Sequence, residues 1–332
     1  MSVSTIMSGP DAWAAGLAEQ ISACDPRQRD ARTAGRARAA VITAFGRALS
    51  GAPAAITKAL LGTSGVAMTG GSSLVFGTER RTSAVDAALI NATAAVAGSE
   101  ASRDAANSAC IVALFGLCEE RGKTGQEFLD ALISGAEISP CLAPTLSPVA
   151  GQLGFALFGS VAAAARVLEL SRPKIIAALL MTGLANVDSP PAGQVGATSF
   201  MIGLSLRSGL LAALLAEALD EASCAEMIRN EGRTIASPAA GNGAPGEAAF
   251  DLLAVQSPPG ADLWDQFERQ AGTVLPRDQI APLFERLETI DKVKDLATVS
   301  RLLQASGAQA APKKVVFAAR GTHEPEETNW VP

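Results

Sequence analysis

Alanine and leucine recur at three- and four-residue spacing through one apolar stretch after another, and that repetition leaves little choice of fold. AAVITAFGRAL at 39–49, SAVDAALINATAAVA at 83–97, FGSVAAAARVLEL at 158–170 and LRSGLLAALLAEAL at 206–219 are four of them. Alanine loses no side-chain entropy in a helix and unbranched side chains lose little. Strands draw instead on β-branched and aromatic residues, yet tyrosine is absent here and aromatics make up 4% of the chain. The expected fold class is therefore all-α, a bundle of closely packed helices whose interior members are apolar all round.

Punctuation sets the element order. Helices are expected at 11–24, 40–49, 53–61, 83–97, 107–120, 126–134, about 152–170, 173–186, 200–219, 264–270, 276–290 and 293–305. Ser50-Gly51 stops the second of these, and Pro173 suits a helical first turn. Loops are expected at GKTG (122–125), at the proline-punctuated stretch Pro140–Pro148 and at DSPPAGQVGATS (188–199). The glycine-rich TSGVAMTGGSS at 63–73 lacks the spacing and the lysine of a phosphate-binding loop and reads as a surface connection. The first ten residues look frayed, and VVFAA at 315–319 suggests a short strand before a polar tail.

Several function classes are disfavoured at once. With 27 basic against 33 acidic side chains, net charge −6, no nucleic-acid footprint or polybasic membrane surface is expected. Five scattered cysteines without a Cys-x-x-Cys spacing fit free thiols in a reducing, cytoplasmic setting. The single histidine, His323, sits in the polar tail, which argues against His-based zinc sites and Ser-His-Asp triads. Asp11 and Glu19 interrupt the first apolar stretch, so no secretory signal is expected. Val149–Ala165, with Gln152 and its glycines, falls short of a membrane span.

Four segments in order carry a resemblance: RRTSAVDAALINATAAVAGSE (80–100), GKTGQEFLDALISGAEI (122–138), FGSVAAAARVLEL (158–170) and LRSGLLAALLAEAL (206–219). Together they resemble the MmgE/PrpD family, which includes 2-methylcitrate dehydratase and cis-aconitate decarboxylase. The likeness spans roughly 35–220, and the helix pair at 276–305 is similar to the family's last helices. It implies a helical domain built from both ends of the chain, an inserted α/β lid, a homodimer, and action without metal or organic cofactor on small carboxylated substrates. Only about 230–265 stands where the lid would be. The resemblance thus implies a main helical domain at 11–229, a connector at 230–265 replacing the lid, C-terminal helices at 266–310 packing back, and a tail at 311–332.

The family's motif resembling Asn-Gly-Thr-Ala-x-His-Ala-x-Asp-x-Asp-Asp falls on Asn91 to Ser102. Val96 stands at its histidine, and Ser99, Ala101 and Ser102 at its aspartates. Later histidines fall near Ala105 and Ala150, and the family's lysine aligns with Thr198. Acid–base chemistry on a di- or tricarboxylate needs tuned ionisable groups and cations, and these replacements supply neither. A site relined this way favours a largely apolar ligand.

The remaining candidates each admit two readings. Glu100 and Asp104, four apart, are either a catalytic acid–base pair or charges that favour the start of the next helix. Asn91 and Thr93 either contact substrate or bond within the helical core. Ser99 is a further polar contact at the motif. Thr198 and Ser199 either cap a helix or receive a substrate oxygen, and Arg207 is either a substrate clamp or a salt-bridge partner. Cys110 and Cys118 are small buried hydrophobes rather than nucleophiles. The leading functional expectation is a cofactor-independent lyase or isomerase/cyclase of a specialised pathway. An inactive homologue serving as a structural or regulatory partner, and a retained decarboxylase or dehydratase, stand as alternatives.

Overall fold

The computed structural model describes residues 12–23, 30–99, 104–142, 151–184, 195–231, 252–254 and 262–305. Among them the chain forms thirteen α-helices and one two-stranded hairpin, an all-α architecture without an α/β lid domain. The first half comprises α1 (Ala12–Ala23), α2 (Ala31–Gly51), α3 (Ala55–Gly62), β1 (Ser73–Leu74), β2 (Arg81–Thr82), α4 (Ala84–Ala97), α5 (Ala105–Glu120) and α6 (Gly125–Leu142). The second comprises α7 (Gly151–Val167), α8 (Arg172–Leu184), α9 (Val195–Ala218), α10 (Glu221–Glu231), α11 (Leu263–Ala271), α12 (Arg277–Glu288) and α13 (Ala297–Leu302).

α4 and α5 are the centre. Every residue of α5 from Ala106 to Glu119 is buried, as is α4 from Asp86 to Val96. That is why neither sequence shows an apolar face set against a polar one. α2, α5 and α9 pack directly on α4, while α1, α7, α8 and α10 form a second apolar cluster on the outer side. Alanine and glycine let these axes come close. A methyl on Gly51 would lie 1.9 Å from the Ala94 carbonyl oxygen, and one on Gly203 of α9 only 2.7 Å from that of Leu89. The scarce aromatics are gathered rather than scattered: Phe45, Phe76, Phe115 and Phe128 meet edge to face at 4.9–5.8 Å.

The three last helices fold back on the first part of the chain. α11 and α12 lie on α2, with Gly46 of α2 opposite Phe267 and Gln270. Backbone bonds fasten the arrangement, Gly77 N–H to Leu303 O at 3.0 Å and Gly125 N–H to Val293 O at 2.8 Å.

Helix boundaries depart from expectation where local chemistry outweighs composition. α2 starts at Ala31, nine residues early, because the Asp30 carboxylate accepts the Thr33 N–H at 2.7 Å and the Ala/Arg run that follows is strongly helix-forming. α6 continues through Pro140 to Leu142, and α9 starts at Val195, so that Thr198 and Ser199 are inside it and not ahead of it. α10 was not anticipated; Asp220 caps it by accepting the Ser223 N–H at 2.7 Å. Nor was the hairpin, which Glu119 secures by accepting the Leu74 N–H at 2.9 Å and pairing with Arg81 at 2.6 Å. α9 is long and apolar enough over Thr198–Ala218 to cross a membrane, yet 56% of that window is buried in the bundle. The expected strand at 315–319, the tail with His323 and the first ten residues lie outside the described residues.

Candidate functional site

α4 and α9 run antiparallel, which fixes where the candidate residues fall. Arg207 Nη2 meets Asp86 Oδ1 at 3.3 Å, and Gly203 faces Leu89 and Thr93. That register carries Ser199 and Thr198 toward the Val96–Ser99 turn of α4. The candidates therefore divide. Ser99, Thr198, Ser199 and Asp104 belong to the C-terminal end of α4, whereas Arg207 lies at the opposite end, roughly 20 Å from Ser99 along α4 and roughly 12 Å from Ser199 along α9 at 1.5 Å per residue. Glu100 lies outside the described residues.

Between the two ends the polar side chains hold the fold. Asn91 Nδ2 donates to Leu74 O at 2.9 Å and its Oδ1 accepts the Phe76 N–H at 3.0 Å, pinning the hairpin to α4. Thr93 donates to Leu89 O at 2.7 Å from a fully buried position, and Ser99 donates to Ala95 O at 2.6 Å. Ser199 is buried and Thr198 half-buried.

The charged chemistry at the C-terminal end of α4 centres on a residue that sequence reasoning passed over. Arg47 of α2, buried, donates through Nη1 to Asp104 Oδ2 at 3.2 Å and to Ser108 Oγ at 2.9 Å. The sequence neighbours Ala48, Leu49, Ala106 and Ala109 of these residues are buried members of the main core. At the far end Asp86 joins two elements, pairing with Arg207 and accepting the Ala67 N–H at 3.1 Å, and Arg207 Nε is buried with no hydrogen-bond partner among the described residues. Arg47 and Asp86 share a signal that was available: each is a lone charge inside an otherwise apolar run, and such a charge must find a partner when its helix is buried.

A sequence profile of the MmgE/PrpD N-terminal domain matches residues 15–223. The chain belongs to the MmgE/PrpD family. Among curated proteins none matches it. The MmgE/PrpD match begins within α1 and ends within α10, so it takes in α4, α5 and α9 and every candidate residue named above. Of the segment expected to correspond to the family's motif, Asn91–Ser99 is described, and Val96, the position expected at the motif's histidine, is buried. Among the described residues no group of three or more His, Cys, Asp or Glu is placed to hold a metal ion.

Cys110 and Cys118 sit two turns apart in α5, and burial pushes both thiols well above their ordinary range. Neither is expected to react with Ellman's reagent in the native protein at pH 8, while both react in urea. Peptide mapping after labelling checks this, and native-state modification of either within minutes would contradict the sealed interior of α5.

Proposed function

We propose that this protein is a cofactor-independent lyase or isomerase/cyclase of a specialised biosynthetic pathway, acting on a largely apolar small molecule at the C-terminal end of α4. One observation carries the reading: the charged Arg47 and Asp104 and the hydroxyl of Ser108 are already matched to one another and buried. A matched set leaves little net charge, so it suits a substrate with one carboxyl or hydroxyl group better than a di- or tricarboxylate. Glu100 and Asp104 are the proposed ionisable pair, with Ser99, Thr198 and Ser199 as polar contacts. Asn91 and Thr93 shape the site through packing, and Arg207 acts from the other end of α4. Orientation of a bound substrate lowers a unimolecular barrier without many charged groups. The working form is a cytoplasmic homodimer.

The same internal matching favours a second reading, an inactive homologue that serves as a structural or regulatory partner. Incubating purified protein with small-molecule extract of the source organism, followed by untargeted mass spectrometry, separates the two. The expected result is loss of one metabolite and gain of a product of equal mass, or of mass lower by water or carbon dioxide. Glu100→Ala is expected to slow it by about a hundredfold or more, the usual share of a general acid or base. No conversion across a well-covered extract moves the assignment to the partner role.

A further inference from the structure

Residues 252–254 pack into the bundle from a sequence neighbourhood that predicts no element. On one side lies GNGAPG at 241–246 and on the other QSPPGA at 256–261, residues that interrupt helices and strands. Yet Leu252 and Leu253 are buried in the main core, and the Ala254 carbonyl accepts a 3.1 Å hydrogen bond from Asn107 Nδ2. Asn107 stands one residue before Ser108 and three after Asp104. The contact with 252–254 and the pairing with Arg47 are therefore made by adjacent residues in the first turn of α5. Among the described residues Arg47–Asp104 is the only ion pair with both side chains under a tenth exposed, at 6% and 8%.

We propose that Leu252–Ala254 is a strap that seals the Arg47–Asp104–Ser108 cluster from water, with Asn107 as its positioning residue, and that the strap releases without the bundle opening. Leu252, Leu253 and the Ala254 carbonyl are a small part of a core that draws on nine helices and the hairpin, and small segments of this kind open at lower free energy than the whole domain. While the strap is in place, a charge pair in a dry setting exchanges with nothing. Once it is out, Arg47 is open to a small carboxylate, the group that competes with Asp104 for a guanidinium. That the cluster is the substrate end rests on the functional reading above. The strap itself is tested without turnover, so the two fail separately.

Phenylglyoxal modification of Arg47, followed by peptide mass mapping, reads release of the strap. Thiol labelling of Cys110 in the same sample reads opening of the bundle. In the full chain Asn107→Ala is expected to speed Arg47 modification about tenfold, the effect of losing one net hydrogen bond to a buried group, with Cys110 labelling unchanged. Leu253→Ala is expected to act in the same direction. Arg47 modification that stays at the wild-type rate in both variants overturns the proposal. So does an increase that Cys110 labelling follows in step, because the bundle and not the strap is then what opens.

Discussion

Replacing Gly98 with alanine is expected to remove about 3 kcal/mol or more of stability, the upper end of what one added methyl does to a packed interior. Gly98 has φ −84°, so any residue fits its backbone and the constraint is space alone. A Cβ there would lie 2.0 Å from the Arg47 carbonyl oxygen and 2.7 Å from the Gly51 nitrogen. Both are backbone atoms and cannot rotate aside, so α2 and α4 have to separate along their whole crossing. Gly62 supplies the contrast, because a methyl on that helical residue meets nothing within 4 Å. Gly62→Ala is expected to be neutral or to stabilise by up to about 1 kcal/mol through helix propensity. Urea unfolding of the two variants compares them directly, and a Gly98→Ala protein within 1 kcal/mol of wild type would mean that the crossing relaxes far more easily than its geometry implies.

Arg47→Met is expected to cost about 3–5 kcal/mol, because it leaves the Asp104 carboxylate buried without its guanidinium. Adding Asp104→Leu is expected to recover most of that loss, since an apolar pair of similar volume carries no desolvation penalty. The non-additivity of the two changes, read from a double-mutant cycle, is the signature of the buried pair. Arg172–Glu19, with both side chains more than half exposed, gives the control: Glu19→Gln is expected to change stability by less than about 0.5 kcal/mol. If the double variant is as unstable as Arg47→Met alone, the loss comes from packing of the arginine stem and not from its charge.

What the amino-acid order discloses about this fold follows from which physical signal each element carries. α4 and α5 are legible because alanine, leucine and an N-cap, Ser83 accepting the Asp86 N–H, act locally. α10 is polar and short, so only its Asp220 cap announces it. The hairpin cannot be read at all, because strands of two residues have no periodicity, and its anchors come from Asn91 and Glu119 far along the chain. The site divides on the same line. Asn91 and Thr93 declare themselves as polar residues in an apolar helix, and their bonds prove to be internal to the fold. Arg47 declares its need for a partner, but the partner lies 57 residues away, and nothing in a single sequence couples two such positions.

Helix α2 is made early and covered late. Its face bearing Arg38, Gly46 and Leu49 is closed by Asp291, Gln270 and Thr273. Those residues leave the ribosome roughly two hundred codons after α2, about 10–40 s at ordinary elongation rates. Through that interval the nascent chain shows an apolar helix face with no native cover. A transcript cut before codon 262 would keep that face bare, and holding it soluble falls to chaperones until α11 and α12 emerge.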